Sequence, residues 1–349
     1  MKLATFQLDT AAGPIRRIGV VIDDGPSPLI ADLTSAYAAY LESETDEPTP
    51  HDLAALRTPP DMIGWLRGTH KSREAADQAL AFVKKRLQQD QRPRGSRGEQ
   101  LVFPRSEVRL LAPVPRPNSL RDFSIFETHM SKARDLPAPK PAHWFRKPPY
   151  YKGDPDTILG PEDPFPYPSY TDMLDLEFEI GIVVGKGGIN LSPEEAKQAI
   201  AGYTILIDHS ARDRQRDEFL GPTKAKDFGT TLGPYLVTPD EADEGNLKCR
   251  FLVDGEVWWE GSTAEPRSFL AHHLVAYASD QERLYPGDLL GTGTIGMSCS
   301  MDTKRWIKVG QTARFEVDKL GALEQKIVAV QGSDYARDGL DGLLKAPEA

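Results

Sequence analysis

The sequence is poor in cysteine, with only Cys249 and Cys299 in 349 residues and no CxxC pair. So few thiols exclude a disulfide framework and fit a reducing compartment, each being expected as a small buried hydrophobe. No apolar stretch approaches the roughly 18 residues that a membrane-spanning helix requires. The opening, MKLATFQLDTAAGP, lacks the long apolar segment of a secretory leader. A cytoplasmic location is therefore the expectation. Positive charge is in deficit: 42 Lys and Arg against 52 Asp and Glu leave a net charge of -10 and a pI of about 5.3. An acidic surface repels phosphate backbones, which argues against nucleic acid as a partner. Repeats, long low-complexity tracts, and the glycine spacings of a P-loop or a dinucleotide fold are also missing.

What is present suits a soluble globular protein of about two domains: 39% of residues are hydrophobic and 27% charged. Residues 1–8 and 17–22 read as strands and 29–41 as a helix. PPDMIGWL (59–66) reads as a helix start, and 74–89 repeats apolar residues at helical spacing. The polar stretch 88–100 and the prolines at 113, 115 and 117 mark a change of segment. A small N-terminal domain over 1–105 and a catalytic domain over 106–349 are expected. Residues 138–170, dense in Pro, Gly and aromatics, read as a structured loop or lid near a site. The second half carries many short strand signals and two helices, 192–200 and 269–279. Its fold class is expected to be α+β and β-rich rather than doubly wound.

The segment LDLEFEIGIVVG places Asp175, Glu177 and Glu179 on alternate residues of one strand. Three carboxylates on one face, about 7 Å apart, repel one another unless a positive group lies between them. A hard divalent cation with oxygen ligands meets that need; a strand with an acidic solvent face is the plainer alternative. The next apolar strand, AGYTILID, is expected to stop at Asp208, so two strands could bring Glu177, Glu179 and Asp208 to one point. Lys226, before a Gly/Thr-rich turn, could bind an anionic oxygen or serve as an acid or base; as a plain surface lysine it would do neither. In GDLLGTGTIGMS (287–298), small residues permit close backbone approach, and Thr292 and Thr294 offer hydroxyls.

Taken together, DLEFE (175–179), DHSARDRQ (208–215), KAKDFGTTLGP (224–234), GDLLGTGTIG (287–296) and RDFSIFETH (121–129) resemble the fumarylacetoacetate hydrolase family over residues 118–296. The resemblance implies a β-sandwich-roll catalytic domain beside a small N-terminal domain, usually in a homodimer. It implies Mg²⁺, or else Mn²⁺ or Ca²⁺, held by Glu177, Glu179 and Asp208, with Asp122 as a fourth ligand. It makes His129 the group that activates water, helped by a carboxylate that could be Glu127 or Asp302. Lys226 becomes a catalytic group, and Gln215, Thr294, Arg146 and Tyr151 contact substrate. Arg212 and Asp213 are expected to orient Asp208, and Asp175 to lie behind the site or at the surface. The implied reaction is hydrolysis of a carbon–carbon bond in a 1,3-diketo acid of fumarylacetoacetate or acylpyruvate type. An isomerase of the 2-hydroxyhepta-2,4-diene-1,7-dioate type, a decarboxylase, and a non-catalytic binding protein are the alternatives.

Overall fold

The computed structural model describes residues 1–23, 25, 28–133 and 145–332. The chain opens on a hairpin of β1 (Lys2–Thr10) and β2 (Gly13–Asp23). Gly13, at φ 105°, follows the turn residues Ala11 and Ala12 and supplies the left-handed backbone that brings the chain back into the hairpin. β3 (Leu29–Asp32) pairs with β2 and leads into α1 (Leu33–Glu44), so the helix expected over 29–41 begins four residues later. Asp32 marks the change. Its carboxylate accepts from the Ser35 amide at 2.8 Å, capping the helix, and is held by Arg17 at 2.5 and 2.6 Å. Three more helices follow, α2 (Pro50–Arg57), α3 (Met62–Arg67) and α4 (Thr69–Leu87), and then the short strands β4 (Val102–Pro104) and β5 (Arg109–Leu111).

The remaining chain is mostly strand. β6 (Leu120–Phe123) precedes α5 (Glu127–Ala133). β7 (Tyr150–Gly153), β8 (Ile158–Leu159) and β9 (Phe165–Pro168) fill the described part of the Pro-rich stretch, of which residues 138–144 lie outside the described residues. The long pair β10 (Leu174–Val184) and β11 (Ile200–Ala211) is linked by α6 (Pro193–Ala199), whose capping box of Ser192 and Glu195 is the one read from sequence. After α7 (Arg212–Gln215) come β12 (Thr230–Val237), β13 (Lys248–Val253), β14 (Glu256–Ser262), α8 (Ala271–Ala278), β15 (Leu289–Gly291), α9 (Ser300–Thr303), β16 (Thr312–Val317) and β17 (Gly321–Val330).

One sheet of twelve strands runs β4-β3-β2-β1-β12-β11-β10-β15-β6-β7, with β5 on β1 and β8 on β12; a second runs β14-β13-β16-β17-β9. β1 joins β12 directly through Lys2↔Val237 and Leu3↔Leu236, so the large sheet is continuous across residue 105. Between the sheets Phe178, Phe251 and Phe315 pack ring against ring, Phe251 and Phe315 stacked 4.5 Å apart. On the other side Leu206, Leu232, Leu236 and Leu289 pack with the apolar faces of α1, α3 and α4. β10 is thus buried along its whole length and on both faces, which excludes the reading of an acidic solvent face. The fold is sheet-rich α+β.

Candidate functional site

The carboxylates owe their meeting to strand register. β10 and β11 pair antiparallel with Glu177 opposite Asp208, and β15 pairs parallel with β6 so that Gly291 faces Asp122. Asp122, Glu179 and Asp208 each bring an oxygen within 4.8 Å of the others. All three side chains are buried. Gly291 makes room for them: a Cβ there would collide with Asp122 Oδ1 and lie 2.7 Å from Glu179 Oε2. The strand does not stop at Asp208 as expected. It continues to Ala211, where the buried His209 Nε2 bonds Thr231 across the sheet at 3.0 Å and Ser210 donates to Glu177 at 3.1 Å, so both polar side chains are held inside the sheet.

Glu177 stands beside this trio rather than within it. Arg212 Nη2 reaches its Oε1 at 2.5 Å, Thr294 donates to the same oxygen at 2.8 Å, and Lys226 bonds its Oε2. Lys226 also bonds Asp208 Oδ2, which accepts in addition from Tyr151 at 2.8 Å. Arg212 therefore orients Glu177, not Asp208. Its Nε is anchored on Asp175 at 2.8 Å, and Asp175 accepts the Ser300 and Met301 amides at 2.6 and 3.1 Å. Asp175 is fully buried and ties α9 to β10, which corrects the surface alternative for it. Asp213 accepts from Thr171 and from the Asp172 amide, bracing the turn before β10 instead of Asp208.

The electrostatics divide the cluster. Burial pushes Glu177 up, but the charges of Arg212 and Lys226 more than reverse this and hold it well below the usual carboxylate range. Burial raises Glu179, and its neighbours Asp122, Glu177 and Asp208 raise it further. Asp208 and Asp122 are also raised, chiefly by burial, against the pull of Lys226. Asp122 Oδ1 and Asp208 Oδ1 are buried with no hydrogen-bond partner. Buried carboxylates with unused oxygens, mutually repelling and wrapped around a glycine, fit a hard divalent cation, for which an all-oxygen donor set is the preferred environment.

His129, on α5, closes one wall. Its Nδ1 lies 3.1 Å from Asp302 Oδ2 and its Nε2 3.3 Å from Glu177 Oε1. Burial lowers its pKa, but contacts with Asp302, Cys299 and Glu177 outweigh burial and carry it well above the ordinary histidine value. Of the two carboxylates named for His129, the structure puts Asp302 against the ring. Glu127 does not line the cavity: it lies only two residues, just over half a helical turn, from His129 and so points the other way. The cavity, about 660 Å³, is lined by Gln215, Thr294, Tyr151 and Lys226, among other residues. Arg146 is exposed and is not among the residues that line it. Sequence reasoning overlooked Lys132, Arg216 and Lys304, three cations at the cavity wall. Each stands alone among polar neighbours and gives no motif.

Fold and site together define a cavity enzyme with an acidic centre. Residues 120–328 match the family described as fumarylacetoacetate (FAA) hydrolase C-terminal, well over half of the chain. The chain belongs to the fumarylacetoacetate hydrolase family. Among curated relatives it is 35% identical to oxaloacetate tautomerase FAHD2A, mitochondrial, of Homo sapiens, over 65% of this chain and 72% of that protein. It is 31% identical to oxaloacetate tautomerase fahd2, mitochondrial, of Xenopus laevis, over 94% of this chain and 90% of that one. The fold is shared with maleylpyruvate hydrolase from Sphingobium sp. SYK-6 in complex with manganese (II) ion and pyruvate, at TM-score 0.65 and 23% identity, covering 95% of this chain and 100% of that one. Among the described residues no helix is long and apolar enough to cross a membrane.

Proposed function

We propose that the protein is a divalent-metal-dependent enzyme that interconverts the enol and keto forms of a small dicarboxylic 2-keto acid of the oxaloacetate type. The carrying observation is that His129, held by Asp302, opens on the same cavity as Asp122, Glu179 and Lys226. Two curated relatives named as oxaloacetate tautomerases support the substrate class. So do Lys132, Arg216 and Lys304, which offer positive charge to a second carboxylate of the substrate.

Asp122, Glu179 and Asp208, with Glu177 beside them, would hold the cation. When bound, it supplies Lewis acidity that favours enolisation. The chain does the rest. Tyr151, Gln215 and Thr294 orient the substrate. Lys226 puts an ammonium beside the oxygen that carries developing negative charge. Towards the keto form, His129 gives a proton from Nε2 to the substrate carbon and is recharged by the proton leaving the enol oxygen. Asp302 holds the ring in one orientation throughout.

Hydrolysis of a 1,3-diketo acid uses the same groups, with His129 taking its proton from water. The size of the cavity, about 660 Å³, favours that second reading, because it exceeds what a four-carbon acid fills. The deciding experiment follows enol-oxaloacetate, acylpyruvates and fumarylacetoacetate with metal-supplemented protein. Loss of enol absorbance is read beside proton NMR of the products. An unbroken carbon skeleton supports tautomerisation; two fragments, or carbon dioxide, overturn it in favour of cleavage or decarboxylation.

A further inference from the structure

Behind His129, away from the carboxylate trio, the described residues include a second group of metal-ligating atoms. His129 Nδ1, Cys299 Sγ and Asp302 each offer an atom within 4.8 Å of the others, and all three residues are buried. We propose that His129, Cys299 and Asp302 form a separate binding site for a thiophilic divalent cation such as Zn²⁺.

The spacing fits. Around tetrahedral zinc, with bonds of about 2.0 Å to nitrogen or oxygen and 2.3 Å to sulfur, nitrogen and oxygen corners stand roughly 3.3 Å apart and nitrogen and sulfur corners roughly 3.6 Å apart. Here Nδ1 lies 3.1 Å from Asp302 Oδ2 and 3.8 Å from Cys299 Sγ. Small side-chain adjustments accommodate the ion. A second observation concerns Asp302: its side chain has 0% exposure, and its Oδ1 has no hydrogen-bond partner. A buried carboxylate oxygen left without a donor is what a cation would satisfy.

The two sites select different ions. The trio of Asp122, Glu179 and Asp208 offers oxygen alone, the preference of Mg²⁺, Mn²⁺ and Ca²⁺. The second group offers one nitrogen, one sulfur and one oxygen, a set that Mg²⁺ disfavours and Zn²⁺ or Co²⁺ accepts. Three protein ligands leave the fourth corner for water. His129 and Met301 line the main cavity, which gives the ion a route in. Occupancy would fix the imidazole through the nitrogen that Asp302 otherwise holds and so take His129 out of proton transfer. That consequence rests on the function proposed above; the site itself does not.

The test uses the full chain with saturating Mg²⁺, so that the oxygen site is filled, and titrates in Co²⁺. A thiolate ligand gives a sulfur-to-cobalt charge-transfer band in the near ultraviolet. The band is expected to saturate at one equivalent per chain, to vanish in Cys299→Ser and to persist in Cys249→Ser. Asp302→Asn, which keeps the thiol, is expected to weaken cobalt binding at least tenfold. No band in the wild-type protein, a band that survives Cys299→Ser, or one unaffected by Asp302→Asn would each overturn the proposal. The band requires no turnover, so its failure is distinct from failure of the tautomerase reading.

Discussion

Asp302 Oδ2 stands 3.1 Å from His129 Nδ1, across 173 positions of sequence. The Met297 amide donates to the same carboxylate oxygen at 3.0 Å, so the acid is fixed before it fixes the histidine. A base whose far nitrogen is anchored presents its near nitrogen in one direction only, here towards Glu177 and the cavity.

Asp302→Asn is therefore expected to lower kcat by about 100-fold or more while leaving KM within a few-fold. The same change removes a contact that raises the pKa of His129, so any limb of the pH–rate profile that reports this histidine should move to lower pH. Steady-state kinetics across pH check both. An unmoved profile would mean that Asp302 serves only packing.

Gly291→Ala should abolish tight divalent binding, because the added methyl would collide with Asp122 Oδ1 and crowd Glu179 Oε2. Metal content after dialysis is the measurement. The mutant should retain wild-type secondary structure, and metal bound at wild-type stoichiometry would contradict the cradle described here.

Lys226 bonds both Glu177 and Asp208, and all three are buried. Lys226→Met leaves those carboxylates without their shared ammonium. In metal-free protein this is expected to cost about 3 kcal/mol, read from urea unfolding. Added Mg²⁺ should recover part of the loss, since a bound dication replaces the missing charge.

At acid pH one contributor to stability lies far from the cavity. Asp240 meets the N-terminal ammonium of Met1 and Arg73 of α4. Partial burial raises its carboxyl, but hydrogen bonds from Thr238 and Arg73 and the charge of the N-terminus reverse this and bring it down to about 2. A carboxylate depressed in the folded state contributes stability above its unfolded value of about 3.9, and that contribution is lost as pH falls through about 2. The difference in Tm between wild type and Asp240→Asn should therefore shrink from pH 5 to pH 2. A constant difference would exclude the linkage.

Much of this was readable beforehand because it is local. Alternation along 174–184 exposed the three acids, and the capping box at Ser192 marked its helix. What local pattern could not supply was pairing. Whether Asp175 faces a ligand or a helix depends on α9, 125 residues further on. That Asp302 rather than Glu127 meets His129 depends on α5 and α9 packing together. The end of β11 is not visible locally because His209 and Ser210 look like turn residues until Thr231 and Glu177 come within hydrogen-bond reach of them. For Arg146, exposed here, local pattern is silent, because a guanidinium near a motif has the same sequence signature whether it turns inward or out.

The join between β1 and β12 has a practical consequence. A chain started after residue 105 would lose β1 to β4, leaving β5 and the Leu236–Val237 end of β12 without their partner strand, while β8 still covers Thr230 and Thr231. It would also strip the helical cover from Leu206, Leu232 and Leu236. Such a fragment should aggregate on expression rather than yield a minimal catalytic unit, since the freed edges and uncovered leucines would become templates for self-association.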